Sequence, residues 1–139
     1  FHELKGQTLL EWGKPREAIP ELRRAVELAP AGPGAPIRVM LGHALVATED
    51  KSFTDEAIRQ LTIAADRDRL DPSPYRHLAR AWAMKGNLPK ADLMVATGMF
   101  VSGDTKEARR YAARARDNLK TGTADWLRAD DIVSYKPDE

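Results

Sequence analysis

Apolar residues recur at three- and four-residue intervals in stretches separated by short breaks, the pattern of successive amphipathic helices. Leu4, Leu9 and Leu10 give a first helix over Phe1 to Trp12, ended by Gly13. Pro15 opens a second, in which Ala18, Ile19, Leu22, Ala25, Val26 and Leu28 form one stripe and Glu17, Glu21, Arg24 and Glu27 lie opposite. Pro20 falls early enough in that helix to be tolerated. The turn formers of AGPGAP, residues 31 to 36, must break it. A third helix runs from Ala35 or Pro36 through Thr48 on Val39, Leu41, Ala44 and Leu45, and EDKSFTD connects it to a fourth that Thr54 or Asp55 would cap. The fourth carries Ala57, Ile58, Leu61, Ile63 and Ala64. A fifth begins near Ser73 and Pro74 and stops at Gly86. A sixth spans Pro89 to Val101, a seventh Thr105 to Leu119, and an eighth Thr123 or Ala124 to Val133, with Thr105 and Thr123 as caps. The tail, residues 134 to 139, offers nothing to bury and is expected to be loose.

The breaks share a phrase. Gly13 is followed five residues on by Ala18, Gly86 by Ala91 and Gly103 by Ala108. A glycine just past a helix end adopts the left-handed conformation that closes the helix. A small residue in the next helix lets two backbones approach. Helix, tight turn and helix are therefore repeated along the chain, and internal repetition decides the fold class. The prediction is all-α, a helical-hairpin solenoid of about three full repeats, a degenerate fourth and a capping helix, about eight helices in total.

The slots of these hairpins resemble the tetratricopeptide repeat. In the first unit, about 1–34, the matching residues are Gly6, Leu9, Gly13, Ala18, Leu22, Ala25 and Pro30. In the third, about 72–102, they are Tyr75, Leu78, Ala79, Trp82, Gly86, Ala91, Val95 and Gly98. The second, about 35–71, keeps Leu41, Gly42, Leu45, Ala57, Leu61 and Ala64, but its loop is three residues longer and Arg69 replaces the closing proline. In the fourth, 103–133, Gly103, Ala108, Ala112 and Ala115 occupy second-helix slots, so the sixth helix serves two units at once and the last two helices cap the core. A narrower resemblance covers RHLARAWAMKGNLPKADLMVATGMFVSGDTKEARRYAARA and ADWLRADDIV. These are similar to the C-terminal repeat region of bacterial periplasmic HExxH zinc metallopeptidases of the beta-barrel assembly-enhancing type.

The chain has 139 residues, 42% hydrophobic and 31% charged, which suits one domain with a core and a charged surface. Its 22 basic and 21 acidic residues leave a net charge of +1 and no global pull towards nucleic acid or an anionic membrane. The absence of cysteine excludes disulfides, thiolate zinc sites and a cysteine nucleophile. No apolar run reaches the roughly 20 residues that span a bilayer. Phe1 in place of Met leads to the expectation of a piece from a longer protein.

Candidate chemistry is sparse. A zinc helix needs two histidines four apart with a glutamate between them. His2 and Glu3 begin that pattern and Gly6 ends it, while His43 and His77 have no ligand at helical spacing. No catalytic residue and no metal ligand is assigned. Asp130 and Asp131 point different ways on a helix and read as solvated or locally ion-paired rather than as an acid–base pair. Lys106, Arg110 and Arg114, with Arg109 and Arg116, form a basic stripe diluted by Glu107 and Asp117, read as a solvated face. Trp82, Tyr111 and Trp126 fall at apolar helical positions and read as core or capping residues, which leaves no stacking platform for RNA.

The repeat resemblance implies a concave protein-binding groove lined by the first helix of each unit. The lining residues are then Glu3, Gln7, Leu10 and Glu11, then Val39, His43 and Val46, then Arg76, Arg80 and Ala83, continued by Thr97 and Phe100. Arg76 and Arg80 match half of the carboxylate clamp of chaperone-binding repeats, whereas Glu3 and Gln7 stand where that clamp needs Lys and Asn. The metallopeptidase resemblance implies a non-catalytic arm of a periplasmic protease of envelope quality control. Its partners would be substrate, the outer-membrane assembly machinery or the parent's own protease domain, with zinc in a catalytic domain outside this chain. A freestanding adaptor and a dimerisation module are the alternatives.

Overall fold

The structure, a computed structural model, describes residues 1–29 and 35–137. Among them lie eight α-helices and one 3-10 turn: α1 (His2–Glu11), α2 (Pro15–Leu28), α3 (Ala35–Ala47), the 3-10 turn (Lys51–Phe53), α4 (Thr54–Arg67), α5 (Ser73–Met84), α6 (Leu88–Val101), α7 (Thr105–Asp117) and α8 (Ala124–Ser134). The all-helical hairpin architecture expected from the sequence is the one observed. The expected break at AGPGAP and the Pro30 slot lie, for residues 30–34, outside the described residues. Contacts divide the chain into two compact units, Phe1–Arg69 and Leu70–Glu139.

In the first unit α1 packs on α2, α2 on α3 and α3 on α4. The two hairpins are closed by the same contact. A Cβ placed on Gly6 would stand 2.6 Å from Cγ of Leu22, and one on Gly42 would stand 2.3 Å from Cγ of Leu61. Leu22 and Leu61 are fully buried. Ala18, the alanine expected to permit the approach, and Ala57 of the second unit's repeat slots are also buried at 0% exposure. The tightest point, though, is the glycine of the first helix against the leucine of the second.

The turns close by backbone hydrogen bonds. At Gly13 (φ 73°), Gly86 (φ 82°) and Gly103 (φ 88°) the chain is left-handed. Each glycine N–H donates back to the carbonyl three residues earlier, Leu10, Ala83 or Phe100. The next N–H donates to the carbonyl five back, Leu9, Trp82 or Met99. This double closure satisfies two carbonyls that the helix end leaves open. The second hairpin reaches the same end without glycine. Glu49 takes φ 60° and its N–H donates to Val46. The Thr48 hydroxyl then bridges the gap, donating to the Leu45 carbonyl at 2.7 Å and accepting from the Asp50 N–H at 3.2 Å.

The three extra residues of that loop form the 3-10 turn, capped by Asp50, whose carboxylate accepts from the Ser52 N–H at 2.9 Å. Phe53 of the turn lies under two guanidinium groups of α2, Arg16 at 5.5 Å and Arg23 at 5.8 Å. The same arginines bond Asp50 at 3.3 Å and Glu56 at 2.6 Å. The insertion therefore fastens the second hairpin to α2. Neither Thr54 nor Asp55 caps α4: the helix follows directly on the 3-10 turn, and the Thr54 hydroxyl donates to the Lys51 carbonyl instead.

In the second unit α6 packs on α5, α7 and α8, and α8 packs on α7, so α6 serves two hairpins as expected. Helix α7 turns only alanine, Ala108, Ala112 and Ala115, fully inward. Its N-cap is Asp104, whose carboxylate accepts from the Glu107 N–H, and not the expected Thr105. Asp104 sits one residue earlier, directly after the left-handed Gly103, where an N-cap must fall. Thr123 caps α8 as expected. The tail is anchored at its start. Tyr135 stacks edge-on against Phe100 with centroids 4.8 Å apart, and Arg109 donates to the Tyr135 carbonyl.

Two substitutions test this closure. Gly42→Ala gains helix propensity of about 1 kcal/mol but drives a methyl into Leu61, for a net expected loss of about 1–2 kcal/mol. Urea unfolding measures it, and adding Leu61→Ala should recover part of the loss relative to the sum of the single changes. Glu49→Gly should stabilise by up to about 1 kcal/mol, because it relieves a left-handed non-glycine residue. Gly86→Ala should lose a similar amount in the same assay.

Candidate functional site

The residues proposed to line a groove fall in both units. In the first, Glu3, Gln7 and Glu11 are all exposed along α1. Their spacing of four places them on one face, and Gln7 donates to Glu11 at 3.2 Å. On α3, Val39 and His43 are half-buried. Val46 is 1% exposed and cannot line a groove. Helix α3 is apolar on almost every side and is packed by both α2 and α4, so Val46 goes inward.

In the second unit Arg76 and Arg80 lie exposed on successive turns of α5, while Phe100 is half-buried on α6 beneath Tyr135. Arg76 lies at a cleft of about 550 Å³ between α5 and α6, whose floor includes Tyr75, Ala79, Met94, Val95, Gly98 and Met99. Gly98 brings the helices together here: a Cβ on it would stand 3.0 Å from Cβ of Tyr75. No hydrogen bond or ion pair engages the Arg76 guanidinium among the described residues. Asp104, whose carboxylate caps α7, also lines the cleft. Arg80 and Phe100 are not among the cleft's lining residues, so of the three expected positions only Arg76 belongs to it.

The expected groove residues did not include Tyr75, Met94 or Met99, which line this cleft. A signal was present in the composition of α6. LPKADLMVATGMFV has almost no polar face, so it must be covered on all sides or leave an apolar cleft wherever cover stops.

The remaining charged groups are mostly tied down. On α7, Arg110 pairs with Glu107 at 2.8 Å, Arg114 with Asp92 at 2.6 Å, and Arg116 with Asp130 at 2.8 Å. Hydrogen bonds donated to the Glu107 and Asp92 carboxylates hold Arg110 and Arg114 above the usual arginine range. The basic stripe is thus a set of ion pairs along the helix and across to α6 and α8, with Tyr111 between Arg110 and Arg114, each 4.9 Å from its ring. Trp82 lies half-buried beside Lys85 and Lys90, both 5.5 Å from its ring. Burial next to the Arg67 charge pushes Arg38 down, desolvation being the larger cause.

The histidines stand apart from one another. His2 Nδ1 meets the Glu21 carboxylate at 2.6 Å, His43 is half-buried and His77 is buried. Among the described residues, no three His, Asp or Glu side chains gather into a group able to hold a metal ion. No described helix is long and apolar enough to cross a membrane. No protein-family model matches this chain, and no curated protein matches it.

The Glu21 carboxylate also takes Lys5 at 3.1 Å. Hydrogen bonds from His2 and then Lys5 hold its pKa below the ordinary value of 4.5. A carboxylate lowered by folding stabilises above its unfolded pKa and loses that contribution as pH falls through the folded one. Glu21→Gln should therefore be less stable than the parent at neutral pH, with the gap closing as the medium is acidified below 4.5. Urea titrations of both proteins across that range measure it.

Proposed function

We propose that this chain is a non-catalytic protein-interaction domain, and that the α5–α6 cleft of its second unit takes a short peptide segment. The observation that supports this reading is the conjunction at one place of an apolar floor with methionines and an exposed guanidinium that has no partner of its own. Methionine adapts its shape to different apolar side chains. An arginine at the margin supplies a forked donor for a carboxylate. The matching ligand is a peptide carrying one bulky apolar side chain next to an acidic group. Glu3, Gln7 and Glu11 give the first unit an acidic and amide-bearing face suited to a polar or basic stretch.

The repeat-slot resemblance supports the same reading, since hairpin arrays expose long surfaces for protein partners. The narrower resemblance to HExxH metallopeptidases motivates the proposal that the domain serves as the partner arm of a periplasmic protease. Zinc per chain in the complete polypeptide, measured after gel filtration, tests that part separately.

Displayed random 12-residue peptides, selected on the protein and then measured by fluorescence anisotropy, test the cleft itself. Enriched peptides should pair an apolar residue with Asp or Glu. Arg76→Glu should weaken them at least tenfold while leaving the urea midpoint nearly unchanged, as expected of an exposed residue without bonds. Unchanged affinity in that variant, or enrichment of basic peptides alone, would contradict the assignment.

A further inference from the structure

Besides Tyr75, the polar side chains that line the α5–α6 cleft are Ser73, Arg76, Ser102 and Asp104. Both serines are committed to their own chain. The Ser73 hydroxyl donates to the Asp71 carboxylate and the Ser102 hydroxyl to the Gly98 carbonyl, each at 2.9 Å. Arg76 and Asp104 remain.

These two are exposed and opposite in charge, yet they do not meet. Neither forms an ion pair among the described residues, with the other or with a third group. The Asp104 carboxylate accepts from the Glu107 N–H at a long 3.4 Å, and a carboxylate has about four acceptor positions, so capping α7 leaves most of them open. Elsewhere in the same unit opposite charges that share a surface close on each other. Lys90 reaches Asp125 at 2.7 Å, Arg114 reaches Asp92 at 2.6 Å and Arg116 reaches Asp130 at 2.8 Å. Two opposite charges held apart on one cleft are complementary to a ligand that bears both signs.

We infer that the cleft selects a peptide segment carrying a basic group as well as an acidic one, with Asp104 reading the basic group and Arg76 the acidic one. The inference rests on the cleft being a peptide site and adds a requirement that this reading does not contain: Asp104 is a specificity residue, and loss of Lys or Arg from the ligand weakens it.

Asn caps a helix as well as Asp does, so Asp104→Asn removes the charge and keeps the start of α7, with the urea midpoint nearly unchanged. Asp104→Ser, which also caps, repeats each comparison. Displayed random peptides are selected in parallel on the parent and on these variants. Parent-selected peptides should carry Lys or Arg near the Asp or Glu, and variant-selected peptides should keep the acidic residue and lose the basic one. The best parent-selected peptide and its copy with that Lys or Arg replaced by Gln are then measured against each protein by fluorescence anisotropy. The replacement should cost the parent about two- to fivefold in affinity, the range of an exposed ion pair, should cost the variants nothing, and should matter less at high salt. An equal cost in all the proteins, or parent-selected peptides without basic residues, would overturn the inference while leaving Arg76-dependent binding, and so the cleft reading, in place. Absence of any enriched peptide on the parent would remove both.

Discussion

Each hairpin of the first unit depends on one steric fact: a glycine in the first helix leaves room for a leucine of the second where a methyl group would not fit. Leu22 over Gly6 and Leu61 over Gly42 set how closely the helix pairs approach. Burial of Ala18, Ala25, Ala57 and Ala64 on the same faces follows from that distance. Interiors are packed closely enough that such a contact cannot be traded for looser packing without loss. Two hairpins thus share one closure. The second unit varies the scheme. Ala79 stands in the glycine slot, Gly98 makes the close approach from α6, and the helices leave a cleft beside it.

The turns hold the hairpins by backbone chemistry that is indifferent to most side chains. Three glycine turns make the same pair of hydrogen bonds, and the fourth replaces one of them with the Thr48 hydroxyl. Its three added residues are used as well as tolerated, because Phe53 docks under Arg16 and Arg23. Loop length here carries a packing contact.

Much of this was legible in the sequence because glycine has few reasons to stand at a helix end. Gly13, Gly86 and Gly103 announced their turns, and all eight helices begin and end within two residues of where the apolar pattern places them. Glu49 was illegible, since nothing about a glutamate signals a left-handed residue. Asp104 was passed over for Thr105 because both can cap, and only the position of the preceding turn decides between them. At the candidate site the pattern was a weaker guide. The repeat resemblance named Arg76, yet it also named Val46, which α3 buries, and it passed over the methionines of α6. Helical periodicity separates a buried face from an exposed one only when the helix has both, and α3 and α6 are apolar nearly all round.

The claim that glycine–leucine contact closes the hairpins is tested most directly by nuclear Overhauser effects in the unaltered protein with labelled leucine methyl groups. Strong cross-peaks from the Leu61 methyls to the Gly42 α-protons, and from the Leu22 methyls to those of Gly6, are the result this account predicts. Their absence, with helical chemical shifts retained across α1 to α4, would show helices that form but pack in another register, and would contradict it.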